Sequence, residues 1–269
     1  MSMRALIRIG LSLLVLAFVL IGLSYTVLRA QGTAARPAGR SLTTDTRPLA
    51  RGVHAIELNA PVDLSVRYGP QPALVVRGEQ RLLQNIETVA SGDTLRIATR
   101  GLMLRHRQPL EVEVTLPMLD SLSVDGSGDT RVSGFSGERI ALSLNGSGSL
   151  QFVGRYREAR AALHGSGELS LDAGNSDSIE AELMGSGAMS LAGATRRFKL
   201  DASGSGMLEA QRLRADEAQL RQTGSGNATI TVREKVTASV SGSGDIDVHG
   251  EPSQRSVSRT GSGTVHFVE

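Results

Sequence analysis

The tripeptide Gly-Ser-Gly occurs eight times in this 269-residue chain, beginning at Gly126, Gly146, Gly165, Gly185, Gly204, Gly224, Gly242 and Gly261. Successive copies stand 20, 19, 20, 19, 20, 18 and 19 residues apart. A period of that length is the signature of a stacked repeat, in which no unit can bury its apolar face alone. The flanks repeat as well. Two and four residues before each first glycine the residues are mostly apolar, as in Leu142 and Leu144, Ala161 and Leu163, Ala181 and Leu183. Two and four residues after each second glycine the alternation resumes, as in Leu150 and Phe152, Leu169 and Leu171, Met189 and Leu191. Alternation with period two predicts β-strands with one buried face. Each unit therefore reads as a strand, a Gly-Ser-Gly turn, a second strand and a variable turn.

The tripeptide itself restricts the geometry. Glycine adopts positive φ without a Cβ penalty. The pairs Gly126 and Gly128, Gly146 and Gly148, Gly165 and Gly167, Gly185 and Gly187, Gly204 and Gly206, Gly224 and Gly226, Gly242 and Gly244, and Gly261 and Gly263 are thus expected to be structural turns. In a stack the same turn recurs about 4.8 Å above the last, and a Cβ there would strike its copies above and below. The serine between the glycines is small, and its hydroxyl is expected to bond a nearby backbone group. The reading is an all-β, single-domain β-solenoid with eight rungs over residues 118–269. Antiparallel hairpins in a sandwich are the alternative, and the even period disfavours them. Gln222 and Arg259 stand where an inward Leu or Val is expected. Either the wall bends or thins there, or a polar pocket lies near the C-terminal end.

Residues 50–117 lack the tripeptide but remain strand-like. Stretches 53–58, 62–68, 73–78, 94–99 and 110–116 alternate or are rich in β-formers, and 80–86 reads as one or two helical turns. This segment is expected to cap the first rung, which would otherwise present an open edge. Ahead of it, residues 9–28 carry no charge and follow Arg4 and Arg8. Twenty helical residues rise about 30 Å, one bilayer core. Residues 1–28 are read as an uncleaved signal-anchor, with a cleaved signal peptide as the alternative, and 29–49 as a linker. The N-terminal charges favour a cytoplasmic N-terminus and export of the remainder. The expected location is the cell envelope, either inner-membrane-anchored facing the periplasm or secreted if the segment is removed.

Composition excludes several chemistries. There is no Cys and no Trp, and only 3% of residues are aromatic. Disulfides, thiolate metal sites, thiol nucleophiles and nucleobase-stacking platforms go with them. Setting aside Arg4 and Arg8, 27 basic residues balance 27 acidic ones, so no nucleic-acid partner is expected. Eight equivalent serines in eight equivalent turns argue structure, not a single activated nucleophile on a G-x-S-x-G elbow. The five histidines (His54, His106, His164, His249 and His266) show no ligand spacing. No phosphate loop is present. Asp125, Asp129, Glu168 and Glu209 lie near turns, as do Arg131 and Lys199, which is how an ordinary solvated face would look. No catalytic residue, metal site or cofactor is assigned.

The stretches VHAIELNAPVDLSVRYG, LLQNIETVASGDTLRIAT and VEVTLPMLDSLSVDGSGD, the serial Gly-Ser-Gly rungs, and the ending SVSGSGDIDVHGEP…VSRTGSGTVHF resemble a family of bacterial envelope proteins. It is the domain called the putative auto-transporter adhesin head GIN domain, and the likeness covers about residues 50–269. The resemblance implies a right-handed parallel β-helix-like fold and an exported, often membrane-tethered protein, and it does not imply an enzyme. The family tends toward Asp after the glycine turn. Asp129 and Asp245 keep it, while Ser149, Glu168, Ala188, Met207, Asn227 and Thr264 replace it. Two Asp in eight copies cannot build a calcium ladder. The functional expectation is a non-enzymatic envelope protein whose rigid solenoid serves binding or assembly. Its partners would be the membrane, through the N-terminal helix, and an envelope protein or glycan, with a homo-oligomer possible. The alternatives are a polysaccharide-active β-helix enzyme and an exterior sensory or regulatory domain of a membrane complex.

Overall fold

The computed structural model describes residues 42–101 and 110–268. The expected membrane segment, 1–28, lies outside them. Among the described residues, no helix is long and apolar enough to cross a membrane. The chain opens with strands β1 (Leu42–Arg47), β2 (Ala55–Asn59), β3 (Asp63–Tyr68) and β4 (Ala73–Glu79), then one helical turn, α1 (Gln80–Leu83). Strands β5 (Ile86–Ser91), β6 (Thr94–Thr99), β7 (Glu111–Leu116) and β8 (Ser121–Gly126) follow. The repeat region forms β9 (Asp129–Gly146), β10 (Ser149–Gly165), β11 (Glu168–Gly185), β12 (Ala188–Gly204), β13 (Met207–Gly224) and β14 (Asn227–Gly242). It ends with β15 (Asp245–His249), β16 (Gln254–Gly261) and β17 (Val265–Val268).

The expected solenoid is present. Each long strand pairs in parallel with the one before and the one after, from β9 to β14. The first glycines form one column, Gly126, Gly146, Gly165, Gly185, Gly204, Gly224, Gly242 and Gly261, each opposite the next. Register shifts fall at the opposite corner instead, for example between Val153 and Gly154, Asp172 and Asn175, and Ala210 and Arg214. Spacings of 18 to 20 residues are therefore absorbed at one corner while the glycine edge stays aligned. The chain runs through that variable corner as extended strand, so a rung is one bent strand closed by one turn, not the two strands and two turns expected.

The inward residues make one continuous core. Leu144, Leu163 and Leu183 are buried on the leg before the turn, and Leu150, Leu169 and Met189 on the leg after it. Burying a side chain of this size contributes about 1.5–3 kcal/mol, and each rung supplies several, but only against its neighbours.

The cap is threaded out of sequence order, and strand begins at Leu42, inside the stretch read as a linker. Strand β2 pairs with β6 on one side and β8 on the other, all parallel. Strand β3 lies likewise between β7 and β9. The β2–β3 rung, earlier in sequence, is thus held between the β6–β7 rung and the first Gly-Ser-Gly rung. Strands β4 and β5 pair antiparallel on β7 and β6 and close that end. Residues 42–47, expected within a linker, pair antiparallel with β4. Their sequence, LTTDTR, is largely exposed and is held by backbone pairing and by the Arg47 guanidinium, which donates to the Leu83 and Ile86 carbonyls and to Thr88 Oγ1, so no apolar alternation announces it.

Candidate binding surface

The glycine edge is built by exclusion of Cβ atoms. A Cβ on Gly185 would lie 2.4 Å from the Gly165 carbonyl oxygen, and one on Gly187 2.5 Å from that of Gly167. Only the first glycine of each turn has positive φ, from Gly146 (φ 128°) to Gly261 (φ 112°). The second glycines and Gly126 do not, so the expectation of positive φ throughout is corrected: the second glycine is required by space alone. The Gly126 turn stacks on Ala60, whose oxygen a Gly126 Cβ would meet at 2.7 Å. The serines are held by their backbone. The Ser166, Ser186 and Ser205 amides donate to Gly146, Gly165 and Gly185 carbonyls at 2.9–3.0 Å. Their side chains, like those of Ser127, Ser147, Ser225, Ser243 and Ser262, are exposed. Contrary to expectation, no hydroxyl of these eight has a hydrogen-bond partner among the described residues. The result is a straight row of free hydroxyls on a glycine ridge.

Beside the ridge, side chains tie rungs together at both ends. The Asp129 amide donates to Asp63 Oδ1 at 2.9 Å, and Ser149 Oγ to Asp129 at 2.7 Å. Near the other end the Asp245 amide donates to Asn227 Oδ1 at 3.3 Å, and the Thr264 amide to Asp245 Oδ1 at 3.0 Å. Thr264's hydroxyl, and after it its amide, hold the Asp245 carboxyl below the usual Asp range. Gln222 is 2% exposed and donates Nε2 to the Gly226 carbonyl of its own turn. It fills the inward column between Ala202 and Val240 and does not open a pocket. Arg259 is exposed because it belongs to the last described rung, where, among the described residues, β16 pairs only with β14 and β17 only with β15. Arg255, at the same inward parity, lays its guanidinium 4.4 Å from the Phe267 ring centroid. Inward charges on a terminal rung blunt an otherwise adhesive edge.

The variable corner carries a ladder of alternating charge. Arg157 bridges Glu138 (3.4 Å) and Asp177 (2.9 Å) on the rungs to either side, and Arg196 returns to Asp177 (3.6 Å). Arg233 meets Asp216 at 3.2 Å. These hydrogen bonds and charges raise the Arg157 pKa, Asp177 foremost. Exposed pairs are individually weak, but a ladder with alternating signs penalises a slipped register. Next to it lies a depression of about 480 Å³ lined by Gly174, Asn175, Gly193, Gln211, Arg212 and Arg214. A second, of about 440 Å³, shares Asn175 and Arg214 with it.

None of these corner residues stood out in the sequence. Arg212 and Arg214 sit on alternate outward positions, the pattern of any solvated strand. His106 lies outside the described residues, and His54 and His164 each stand apart from the other described histidines. His54 lies between Asp120 (3.2 Å) and Asp93 (3.5 Å), and His164 between Asn145 (3.1 Å) and Glu182 (3.4 Å). Among the described residues, no group of three His, Asp or Glu side chains could hold a metal ion. Asp129 faces Arg131 at 3.5 Å.

Solved structures share the fold. A crystal structure described as a putative lipid binding protein from Parabacteroides distasonis has a TM-score of 0.79 at 21% identity, over 85% of this chain and 97% of that one. A putative adhesin from Parabacteroides merdae gives 0.79 at 18%, over 85% and 97%. One from Bacteroides fragilis gives 0.66 at 20%, over 85% and 98%. No curated protein sequence matches the chain. The family model described as putative auto-transporter adhesin, head GIN domain, matches residues 53–252. With about three-quarters of its length and seven of the eight Gly-Ser-Gly turns inside that match, the chain belongs to this family.

Proposed function

We propose that this protein is a non-enzymatic, adhesin-like component of the cell envelope, whose rigid β-column presents its side walls for binding or assembly. The observation that carries the reading is the locked register. The first glycines stand in one aligned column from Gly126 to Gly261, the core residues on the legs beside them keep the same register, and a charge ladder runs from Glu138 to Arg233. Such a scaffold displays surface groups at fixed rung spacing with little ordering cost on binding. The family's adhesin description supports it. The location rests on the uncharged run 9–28 behind Arg4 and Arg8, which would hold the column outside the cytosol. An envelope protein, a glycan or a neighbouring subunit is the partner this surface suits.

The test is a binding screen. The full-length chain in detergent is offered envelope polysaccharides and envelope proteins of its own cell, and turnover is followed for each ligand bound. Saturable binding without turnover supports the reading. Reproducible turnover that one point change on the column abolishes overturns it.

A further inference from the structure

We propose that the corner formed by Arg155, Arg212 and Arg214 binds carboxylate groups of an acidic oligosaccharide. The inference rests on the binding-column reading and names its ligand class.

The corner is shaped by a bulge. Between β13 and β14 the register passes from Ala210 opposite Ile230 to Arg214 opposite Thr231, so residues 211–213 have no ladder partner in the next rung, and the Gln211 carbonyl accepts from the Thr231 hydroxyl at 2.9 Å. Leu213 is fully buried, which turns Arg212 and Arg214 outward on either side of it. On the preceding rung they face Ala192 and Ala194, with Gly193 opposite Leu213. Small residues there leave the space beneath the guanidinium groups empty. The floor is backbone: Gly193 stacks on Gly174 so closely that a Cβ would lie 2.4 Å from the Gly174 oxygen. At its foot stands Arg155, whose Cγ would lie 3.3 Å from a Cβ on Gly174.

Among the described residues these cations form no ion pair, although Arg214 also borders the second depression with Asp177 and Asp216. Arg157, Arg196 and Arg233 along the adjacent ladder all pair with carboxylates. Among the described residues, Arg155, Arg212 and Arg214 have no carboxylate within 4.0 Å, and Arg212 reaches only the Ser190 hydroxyl, at 3.3 Å. Asp172, at the same corner, accepts from the Gly174 amide at 3.1 Å. Planar guanidinium forks suit carboxylates in two-point geometry. The side-chain amides of Asn175 and Gln211 border the depression and offer both donors and acceptors, which suits hydroxyls. No large apolar side chain lines it, so an acyl chain gains nothing there. No aromatic lines it either, so a base cannot stack.

The experiment measures binding of trigalacturonate, its methyl ester and anionic phospholipid vesicles to the full-length chain by calorimetry. The variants are the double change Arg212→Ala, Arg214→Ala and, as a control, Arg67→Ala, an exposed arginine on β3. Thermal melts check that all are folded. The expected result is saturable binding of trigalacturonate that weakens at least about tenfold in the double variant, is unchanged in the control, and is absent with the ester. Equal binding by the folded double variant, or no difference between acid and ester, overturns the site. So does wild type that ignores trigalacturonate but takes vesicles through the same arginines, which would assign the corner to lipid phosphate. Each of these leaves the binding-column reading standing, whereas cleavage of the sugar would remove that reading as well.

Discussion

The side-chain amide of Gln222 donates to the carbonyl of Gly226, four residues further along and inside the same turn. In the lower rungs that carbonyl position serves the next rung's backbone. Gly148 accepts from the Glu168 amide at 3.0 Å, Gly167 from Ala188 at 3.0 Å, and Gly206 from Asn227 at 3.2 Å. One rung higher the pattern switches, because the Asp245 amide turns to Asn227 Oδ1. Gly226 is left without its usual donor, and Gln222 supplies one. Gln222 thus supplies the donor that the Asp245 amide, turned to Asn227, does not.

Gln222→Leu should therefore destabilise the column by about 1–3 kcal/mol, the cost of a buried carbonyl without a donor. In an Asn227→Ala background the Asp245 amide can return to Gly226, and the same change should cost much less. The double-mutant cycle, read by denaturant midpoints, should show coupling well above about 0.5 kcal/mol. Additive effects would mean that the two side chains do not share the carbonyl.

The glycine edge makes a sharper contrast. Gly185 combines φ 119° with a Cβ position 2.4 Å from the Gly165 oxygen. Gly185→Ala should cost at least about 1–3 kcal/mol from backbone strain alone, with the clash added. Ser186→Ala, removing an exposed hydroxyl that bonds nothing described, should stay within about 0.5 kcal/mol. Gly52→Ala, where a Cβ meets nothing within 4 Å, is the control for glycine replacement itself. Melting temperatures order the three, and an unshifted Gly185→Ala would end the stacking argument.

The stack was legible because its cause is local and repeated. Period-two burial at Leu142 and Leu144, or Leu169 and Leu171, needs no knowledge of partners. The threading of β2 between β6 and β8 was not legible, because Ile56, Leu95 and Leu122 have the same inward parity and would fit in any order. Strand β1 escaped because Thr43, Thr44 and Asp45 pair through backbone alone. Gln222 was visible as an exception, but its reason lies in Asn227, five residues on and across the turn. The arginine corner stayed hidden since Arg212 and Arg214 differ from a solvated face only in lacking carboxylate neighbours, which is a property of three dimensions.

Tyr156 offers a pH test at the alkaline end. Its ring is fully buried and its hydroxyl donates to the Leu119 carbonyl at 2.6 Å. Burial, with the Asp120 carboxylate adding to it, holds the phenol well above the usual tyrosine range. The unfolded chain ionises near pH 10, so the native state binds the proton more tightly. The stabilisation is complete below about pH 10 and shrinks as pH rises beyond it. Tyr156→Phe should lose about 1–2 kcal/mol at neutral pH through the unpartnered Leu119 carbonyl. Its urea midpoint should also fall less steeply than that of wild type between pH 10 and 11. Parallel slopes for the two proteins would assign the alkaline loss to other groups.

Asp245 offers the opposite test at the open end. Among the described residues, strands β16 and β17 have a neighbour on one side only, so the bonds from Thr264 to Asp245 help tie this rung to the column. Those bonds lower the Asp245 pKa. A lowered carboxyl pKa means stability that is fully present above the unfolded value of about 3.9 and lost as pH falls through the lower native one. Hydrogen exchange at the Thr264 amide, corrected for intrinsic rate, should show constant protection from pH 7 to 5. Below about pH 3.9 protection should drop there before it drops in β10 to β13. Asp245→Asn keeps an acceptor that cannot be protonated in this range, so its Thr264 protection should persist in acid. Asp245→Ala should lose protection at every pH. If Thr264 exchanges identically in wild type and the Ala variant, the last rung is held by its backbone ladder and this carboxylate is incidental to it.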